Sequence, residues 1–304
     1  SYTRASTSLA RVSAYNEFTE TPASALASTL EEMGLAGGKV AMEFDFMPAG
    51  FYQELVKLMP GTTFVDAAPF LNKMRSVKTP AELDNLRALG HAVHMAHRDV
   101  AAKARRGMTE LDVALILYDS LLRHGADDVA QLVVGSGERS THANPYATGR
   151  RLADGDVMRI DVYARRQSYL SDCARTYVVG KVSQGQRDLW SRMLETRQLC
   201  LDMIRPGAHT AEIYKAFYDK FTGWGLRPID FVGHGLGLTL HEDPYVGKYG
   251  DWVLEEGMVL CIEPYVVLPE QNCGFQVEDE VLVTKDGYEL LTGYDGPPDL
   301  HSIE

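Results

Sequence analysis

The spacing of hydrophobic residues changes repeatedly along the chain and predicts a mixture of helices and strands. Between Val157 and Val179 the chain is rich in β-branched and aromatic residues, which favours two strands, 157–164 and 169–179. The polar run Arg165-Arg166-Gln167-Ser168 between them has the composition of a turn. The pattern therefore predicts a β-hairpin in this stretch.

The predicted hairpin carries two aspartates, Asp161 and Asp172. If the chain turns at the bond between Arg166 and Gln167, these residues lie directly opposite each other, with Cβ atoms only ~4.5–5.5 Å apart. Two carboxylates buried at that range repel each other, so one stays protonated unless a cation lies between them. The alternative is that each aspartate lies at a strand edge and points to solvent.

Residues 1–75 show helical and strand patterns in alternation. Helical spacing occurs at 25–33 and 51–59, and strand composition occurs at 39–44 and 63–66. Two strands and two helices suggest a small α/β unit with a thin sheet. No catalytic constellation occurs in it, so we expect it to serve packing or oligomerisation.

A long helix is predicted from Thr79 to about Arg105, because a threonine N-cap, a proline in the first turn and a glutamate at the capping-box position coincide. It carries His91, His94 and His97 at a spacing of three, so the three can share a face. Three histidines without a carboxylate favour a surface or interface over a metal site.

Two segments about one hundred residues apart resemble each other. Residues 106–112 (RGMTELD) and 206–213 (PGAHTAEI) each open a helix, and each is preceded by a long helix and followed by strands. An internal duplication predicts two half-domains related by a pseudo-two-fold axis, with an active site where they meet.

A second hairpin is predicted from residues 255–265 and 274–283. If its centre lies between Glu270 and Gln271, Glu263 lies directly opposite Glu278. Each half-domain then offers a hairpin with two facing acidic residues, which favours a functional pair over solvated strand charges.

Between the two hairpins, glycines flank His234 and let backbone approach whatever the imidazole contacts. Four carboxylates and one imidazole suit two divalent ions of the Mn, Fe, Co or Zn type, and magnesium alone is disfavoured. Such a pair of ions hydrolyses by delivering a hydroxide while one metal polarises the scissile carbonyl. A second histidine, His241, follows seven residues after His234. It is a candidate to hydrogen-bond the developing oxyanion or to shuttle a proton.

Composition and charge narrow the function further. The 304 residues are 45% hydrophobic and 24% charged, which is typical of a soluble globular protein. A formal net charge of -12 argues against a nucleic-acid groove, and no apolar run approaches the length of a membrane span. Four scattered cysteines without a CxxC pair fit reduced thiols in a cytoplasmic protein.

The candidate residues lie in stretches that resemble the five motifs of the pita-bread metallopeptidase family, which includes methionine aminopeptidase, Xaa-Pro aminopeptidase and prolidase. The stretches are Asp161, Ser171-Asp172-(Cys-Ala)-Arg175-Thr176, GHGLGLTLHEDP, GMVLCIEP and VEDEVLVT, in this order. The resemblance covers about residues 79–293.

This resemblance implies an α+β pita-bread (creatinase/aminopeptidase) fold for residues 76–304, with pseudo-two-fold half-domains. It implies a dinuclear metal site and a catalytic role for His241. The implied metal ligands are Asp161, Asp172, His234, Glu263 and Glu278. Residues 1–75 resemble the creatinase-type N-terminal domain of the Xaa-Pro branch, shortened at its start by several strands, and that domain usually dimerises.

Two positions depart from the family pattern. Where the peptidases place a substrate-binding histidine this chain has Asn144, and His142 two residues away is the alternative substrate contact. Gln276 stands where Xaa-Pro enzymes have arginine, although methionine aminopeptidases carry glutamine there. Metal binding is expected to survive both departures, whereas they leave the choice of substrate open, including a preference for proline.

The leading hypothesis is a homodimeric metallohydrolase that cleaves an N-terminal or dipeptide amide bond, of the Xaa-Pro type, by a metal-bridging hydroxide. Its cofactor is expected to be two divalent metal ions, with Mn ahead of Co, Fe or Zn. The alternative is a related enzyme for a small non-peptide substrate, as creatinase, ectoine hydrolase and a DMSP lyase are. A binding protein without catalysis is a third hypothesis, although such relatives have typically lost several ligands.

Overall fold

The computed structural model describes residues 7, 9, 10, 12–293 and 298–304. The chain divides into two compact units, one up to Met74 and one from Arg75 onward. The boundary predicted after residue 75 lies one residue from this division.

The first unit is a two-stranded parallel sheet with helices. It contains α1 (Pro22–Glu32), β1 (Lys39–Met42), α2 (Ala49–Leu58), β2 (Thr63–Asp66) and the start of α3 (Ala68–Ser76). Helix α1 begins earlier than predicted because Thr21 forms a capping box with Ser24. Parallel strands need a crossover, which α2 supplies between β1 and β2. Leu55 and Met59 pack with Ala23, Ala27 and Leu30 in a small apolar core.

The second unit combines four helices with eleven strands among the described residues. Its helices are α4 (Pro80–Lys103), α5 (Glu110–Arg123), α6 (Gln184–Asp202) and α7 (Thr210–Gly223). Its strands are β3 (Asp128–Ser136), β4 (Val157–Arg166), β5 (Tyr169–Val179), β6 (Phe231–Gly235), β7 (Glu242–Gly247), β8 (Val259–Ile262), β9 (Tyr265–Leu268), β10 (Cys273–Gln276), β11 (Asp279–Val283), β12 (Tyr288–Leu290) and β13 (His301–Ile303). A short 3-10 helix, Gly137–Thr141, follows β3.

These strands form two main sheets, one for each half of the unit. The first has the order β13-β5-β4-β3 and the second the order β12-β11-β8-β6-β7, with β9 and β10 paired separately. Helices α4 and α5 contribute to one buried core with the first sheet, and α6 and α7 contribute to another with the second. Helices on one face of each sheet leave the other face of the sheet for a site.

The predicted internal duplication is confirmed by two equivalent turns. Gly107 has a φ of 85° and its N–H donates to the carbonyl of Leu152, while Gly207 has a φ of 83° and its N–H donates to Leu254. Both glycines lie in the left-handed region that other residues avoid. Each turn therefore links a long helix to a shorter one, and its glycine bonds to the segment that precedes a strand, β4 or β8.

The register predicted for the first hairpin is wrong. Gln167 and Ser168 both have positive φ and form a two-residue turn, so Asp161 pairs with Ala174 and Tyr163 pairs with Asp172. A two-residue turn with two left-handed residues matches the right-handed twist of the flanking strands. Asp161 and Asp172 still share a face, as diagonal neighbours rather than direct partners.

The register predicted for the second hairpin is confirmed, but its strands are interrupted. Gln276 pairs with Tyr265 and Asp279 with Ile262, which puts Glu278 opposite Glu263 across the break. In the break the N–H of Val277 still donates to the carbonyl of Pro264 at 3.2 Å. The two glutamates thus leave the ladder without changing its register.

The expectation that the histidines of α4 lie at a surface or interface is wrong for two of them. His91 is exposed, whereas His94 and His97 are buried beneath the helix. His97 lies 3.0 Å from the Cys173 carbonyl through Nε2 and 3.1 Å from the Tyr177 hydroxyl through Nδ1. Because α4 packs on β5, the face shared by these residues turns toward the sheet.

Candidate metal centre

The five predicted ligands lie on or beside five different strands. Asp161 and Asp172 lie within the continuous strands β4 and β5, and His234 lies on β6. Glu263 follows β8 and Glu278 precedes β11, at the interruption of the second hairpin. All five are almost completely buried, with exposures of 1–8%.

Short contacts bring these side chains together. His234 Nε2 lies 3.3 Å from Glu263 Oε1 and 3.7 Å from Asp172 Oδ2. The other ring nitrogen, Nδ1, lies 3.0 Å from the Gly235 carbonyl, which directs Nε2 to the carboxylates. Donor atoms of Asp172, His234 and Glu278 lie within 4.8 Å of one another.

Gln276 connects the remaining carboxylates to this group. Its Nε2 lies 3.1 Å from Glu263 Oε2, 3.3 Å from Asp161 Oδ2 and 3.5 Å from Glu278 Oε2. A single amide group therefore touches three carboxylates that come from both halves of the unit. The predicted acidic residues converge on one buried place.

The donor set fits divalent metal ions. Asp161 Oδ1, Asp172 Oδ1 and Glu278 Oε1 are buried without a hydrogen-bond partner among the described residues. Buried carboxylate oxygens normally have a partner, and a metal ion is one. Burial, and then the neighbouring carboxylates, raise the pKa of Asp172 and of Glu278 well above their ordinary values. Cations between these oxygens would remove that repulsion.

Sequence reasoning missed three neighbours of the ligands. Cys261 lies within the same 4.8 Å group, and burial raises the pKa of its thiol well above the ordinary value. The Tyr163 hydroxyl donates to Asp161 Oδ2 at 3.0 Å, and Arg159 lies two residues before Asp161. The alternation of strand side chains is a signal for all three, since each stands two residues from a predicted ligand.

His241 lies beside His234, the predicted ligand histidine. The centroids of the His234 and His241 rings are 4.1 Å apart. Partial burial of a side chain that stays accessible to solvent, reinforced by His234, lowers the pKa of His241 to about 4. Its imidazole is therefore neutral near neutral pH, with one nitrogen able to donate and the other able to accept a hydrogen bond.

A cavity of about 370 Å³ opens onto the site. One wall of the cavity is apolar and is formed by Ile229, Phe231 and Leu240. The polar residues that line it include Asn144 and His241. His142 is exposed, and its backbone carbonyl accepts a hydrogen bond from Arg159. Of the two predicted substrate contacts, Asn144 is the one that lines this cavity.

Two half-domains that enclose buried acidic residues and an imidazole define a class of hydrolase that binds metal at the interface of a duplicated fold. Comparison with known proteins identifies the family. The family model for metallopeptidase family M24 matches residues 84–285. The model for the creatinase/prolidase N-terminal domain matches residues 1–77. The chain belongs to metallopeptidase family M24 and is a metallopeptidase with the pita-bread fold.

Related dipeptidases are identical to this chain at about a third of the aligned residues. "Probable dipeptidase PepE" of Mycobacterium tuberculosis is 33% identical over 83% of this chain and 68% of its own length. The Xaa-Pro dipeptidase of Pyrococcus horikoshii is 31% identical over 81% of this chain and 71% of its own length.

Solved structures show the same fold. The Xaa-Pro dipeptidase from Bacillus anthracis superposes with a TM-score of 0.86 at 26% identity, covering 94% of this chain and 79% of that protein. The X-Pro aminopeptidase from Thermotoga maritima superposes with a TM-score of 0.84 at 25% identity, covering 92% and 78%. Within the described residues, none of the helices combines the length and apolar character needed to cross a membrane.

Proposed function

We propose that this chain is a dinuclear metallopeptidase that cleaves the amide bond next to a free N-terminus or within a dipeptide, with Xaa-Pro substrates as the first candidates. The observation that carries the proposal is the buried group of four carboxylates and one imidazole beside a cavity. The names of the related Xaa-Pro dipeptidases support the class of substrate.

In this proposal two divalent ions are held by both halves of the unit. Their ligands would be Asp161, Asp172, His234, Glu263 and Glu278. Four carboxylates balance the charge of two dications, and the mixed oxygen and imidazole donors favour Mn, with Co, Fe or Zn as alternatives. When bound, such ions supply Lewis-acid polarisation of a carbonyl and lower the pKa of water toward neutrality.

The chain's own residues supply the remaining functions. Neutral His241 would hydrogen-bond the carbonyl oxygen as it gains charge or pass a proton to the leaving amine. The apolar wall of Ile229, Phe231 and Leu240 keeps water from one side of the bound substrate. Asn144 offers an amide to the peptide backbone.

Assembly and location belong to the same proposal. We expect a homodimer, because the N-terminal unit matches the creatinase/prolidase N-terminal domain, which usually dimerises. The described cysteines are all free and buried, which fits reduced thiols in the cytoplasm.

A second candidate function is the hydrolysis of a small non-peptide molecule, and one observation favours it. Arg159 is the only lysine or arginine among the described residues that line the cavity, and protein acceptors already engage it. The cavity therefore offers no free cation for the carboxylate of a dipeptide. Substrates without that carboxylate, including longer peptides, remain compatible with it.

The test is a substrate panel run on protein stripped of metal and then supplied with Mn, Co, Fe or Zn. It compares Xaa-Pro dipeptides, the same dipeptides amidated at the C-terminus or acetylated at the N-terminus, Xaa-Pro tripeptides, dipeptides without proline, and small amides that carry no carboxylate. We expect chelation to abolish hydrolysis, Mn or Co to restore it, and N-acetylated peptides to be inert. Turnover of small amides that carry no carboxylate above every peptide would favour the second candidate, and activity that survives chelation would contradict both.

A further inference from the structure

A buried arginine beside the candidate metal centre has a specific set of partners. Arg159 is 1% exposed, and its Nη1 donates to Gln276 Oε1 at 2.6 Å. Its Nη2 donates to the carbonyls of His142 and Ala143, and its Nε donates to the Ser140 carbonyl at 3.4 Å. The guanidinium thus faces protein acceptors on three sides, so its hydrogen bonds stabilise neighbours rather than a substrate.

The hydrogen bond from Arg159 determines the orientation of the Gln276 side-chain amide. Arginine has only donors, so the amide atom that faces it must be the oxygen Oε1. The NH₂ group of Gln276 is then forced toward the carboxylates, where it lies within 3.1–3.5 Å of Glu263, Asp161 and Glu278. The opposite amide orientation would put a carbonyl oxygen against three carboxylates and would be repelled.

This donor arrangement occupies one oxygen of Asp161 and one of Glu278, and it leaves the other oxygen of each without a partner among the described residues. Asp161 Oδ2 accepts from Gln276 and from the Tyr163 hydroxyl, whereas Asp161 Oδ1 has no partner. Glu278 Oε2 lies next to Gln276, whereas its Oε1 has no partner. The unpartnered oxygens are those left to bind a cation.

We propose that Arg159 is a positioning residue for the metal centre that acts through Gln276. By holding the Gln276 amide in one orientation, it selects the oxygens that Asp161 and Glu278 present to metal. This inference rests on the proposed function, because it concerns the same ions. A competing explanation is direct charge: Arg159 Nη1 lies 3.9 Å from Asp161 Oδ2 and would act on that carboxylate without Gln276.

A double-mutant cycle on metal affinity separates the two explanations. Arg159→Met, Gln276→Met and the double variant are stripped with chelator, and Mn²⁺ binding is measured by isothermal titration calorimetry. Loss of a partner behind a metal ligand typically weakens affinity about 10–100-fold, and we expect that loss for each single variant. If Arg159 acts through Gln276, the double variant binds no more weakly than Gln276→Met alone.

Two controls accompany the cycle. Arg150 is an ion-paired arginine bonded to Asp156, away from the ligands, so Arg150→Met should leave Mn²⁺ affinity within about twofold of wild type. Circular dichroism and apo-protein melting establish that each variant is folded. If Arg159→Met does not fold, Arg159→Lys keeps the charge but loses the fork, so weaker Mn²⁺ binding supports positioning and unchanged binding supports direct charge.

The outcomes also separate this inference from the proposed function. Wild-type protein that binds no divalent ion would contradict the dinuclear site itself. Wild-type protein that binds two ions, together with an Arg159→Met variant that binds them equally well, would overturn only the role of Arg159. Losses that multiply in the double variant would overturn action through Gln276.

Discussion

The two hairpins that carry the acidic residues place them in different ways. In the first, Asp161 and Asp172 lie inside unbroken strands whose ladder continues on both sides. In the second, Glu263 and Glu278 lie in an interruption, and their N–H groups donate to the carbonyls of Val232 and Ala174 instead of to each other's strand. Ala174 lies on β5, so the broken hairpin bonds to the strand of the unbroken one. The interruption is therefore where the two halves join.

The residues that follow a proposed ligand on each hairpin differ in the same way. Cys173 follows Asp172, and its carbonyl contacts the neutral His97 from α4. Asp279 follows Glu278, and its carboxylate pairs with Arg197 from α6 and with Arg175. Although burial opposes its ionisation, the two arginines hold the pKa of Asp279 below its ordinary value. The contact of His97 with Cys173 is therefore a neutral anchor for the first half, and the ion pairs of Asp279 with Arg175 and Arg197 are a charged anchor for the second half.

The largest expected effect tests whether both hairpins serve one site. Asp172→Ala and Glu278→Ala should each lower kcat/KM on the best peptide on the order of 1,000-fold or more, since loss of an outer partner alone costs about 10–100-fold. Steady-state kinetics with saturating Mn²⁺ measures this, with the exposed Asp154→Ala as the control. Full activity in either variant would mean that only one hairpin contributes.

The contrast between the anchors predicts unequal losses of stability. Arg197→Met leaves a buried carboxylate with one arginine fewer and should lower the free energy of unfolding by about 3–5 kcal/mol. His97→Gln removes only neutral hydrogen bonds and should cost about 0.5–1.5 kcal/mol. Urea unfolding of the apo-proteins measures both values. Equal losses in the free energy of unfolding would show that the buried ion pairs of Asp279 stabilise the fold no more than the neutral hydrogen bonds of His97 do.

The neutral anchor should make the first half sensitive to acid. Burial lowers the pKa of His97 from 6.5 to about 3. Between these pH values His97 is protonated in the unfolded chain and neutral in the folded chain. The stability from this group is complete above about pH 6.5 and is lost as the pH falls toward 3, with about 2 kcal/mol lost at pH 5. Relative to wild type, His97→Gln should therefore lose about 2 kcal/mol less between pH 7 and pH 5. An identical pH dependence in the two proteins would contradict this.

The smallest effect concerns the turns. Gln167 and Ser168 both hold positive φ, at 49° and 70°, which costs ordinary residues roughly 1–2 kcal/mol each. The double substitution Gln167→Asn and Ser168→Gly should raise stability by about 1 kcal/mol, after the entropy that glycine loses on folding. In the second hairpin Asn272 is already suited to its φ of 51°, so Asn272→Gly should change stability by less than about 0.5 kcal/mol. Thermal melts of both variants provide the measurement.

Much of the fold follows from local patterns in the chain. The capping box at Thr79 begins α4 where predicted, and the glycine turns at Gly107 and Gly207 mark the duplication. The second hairpin has the expected register, with Glu263 opposite Glu278. Each of these features depends on residues that are close in sequence or on one alternating pattern.

Other features depend on contacts that no local pattern contains. At the turn of the first hairpin the Gln167 N–H donates to Asp127 Oδ2 at 2.6 Å, forty residues away in the chain. The second hairpin is interrupted where the Glu278 N–H donates to the Ala174 carbonyl in the other half. His97 is buried because α4 packs on β5.

The sequence by itself therefore determined the elements, the duplication and the acidic and imidazole residues offered to the site. Only the tertiary structure decided which oxygens of these residues are left without partners, and that Arg159 and Gln276 hold the others. The physical reason is that a helix cap or a turn is a short-range interaction, whereas burying carboxylates together requires partners from distant parts of the chain.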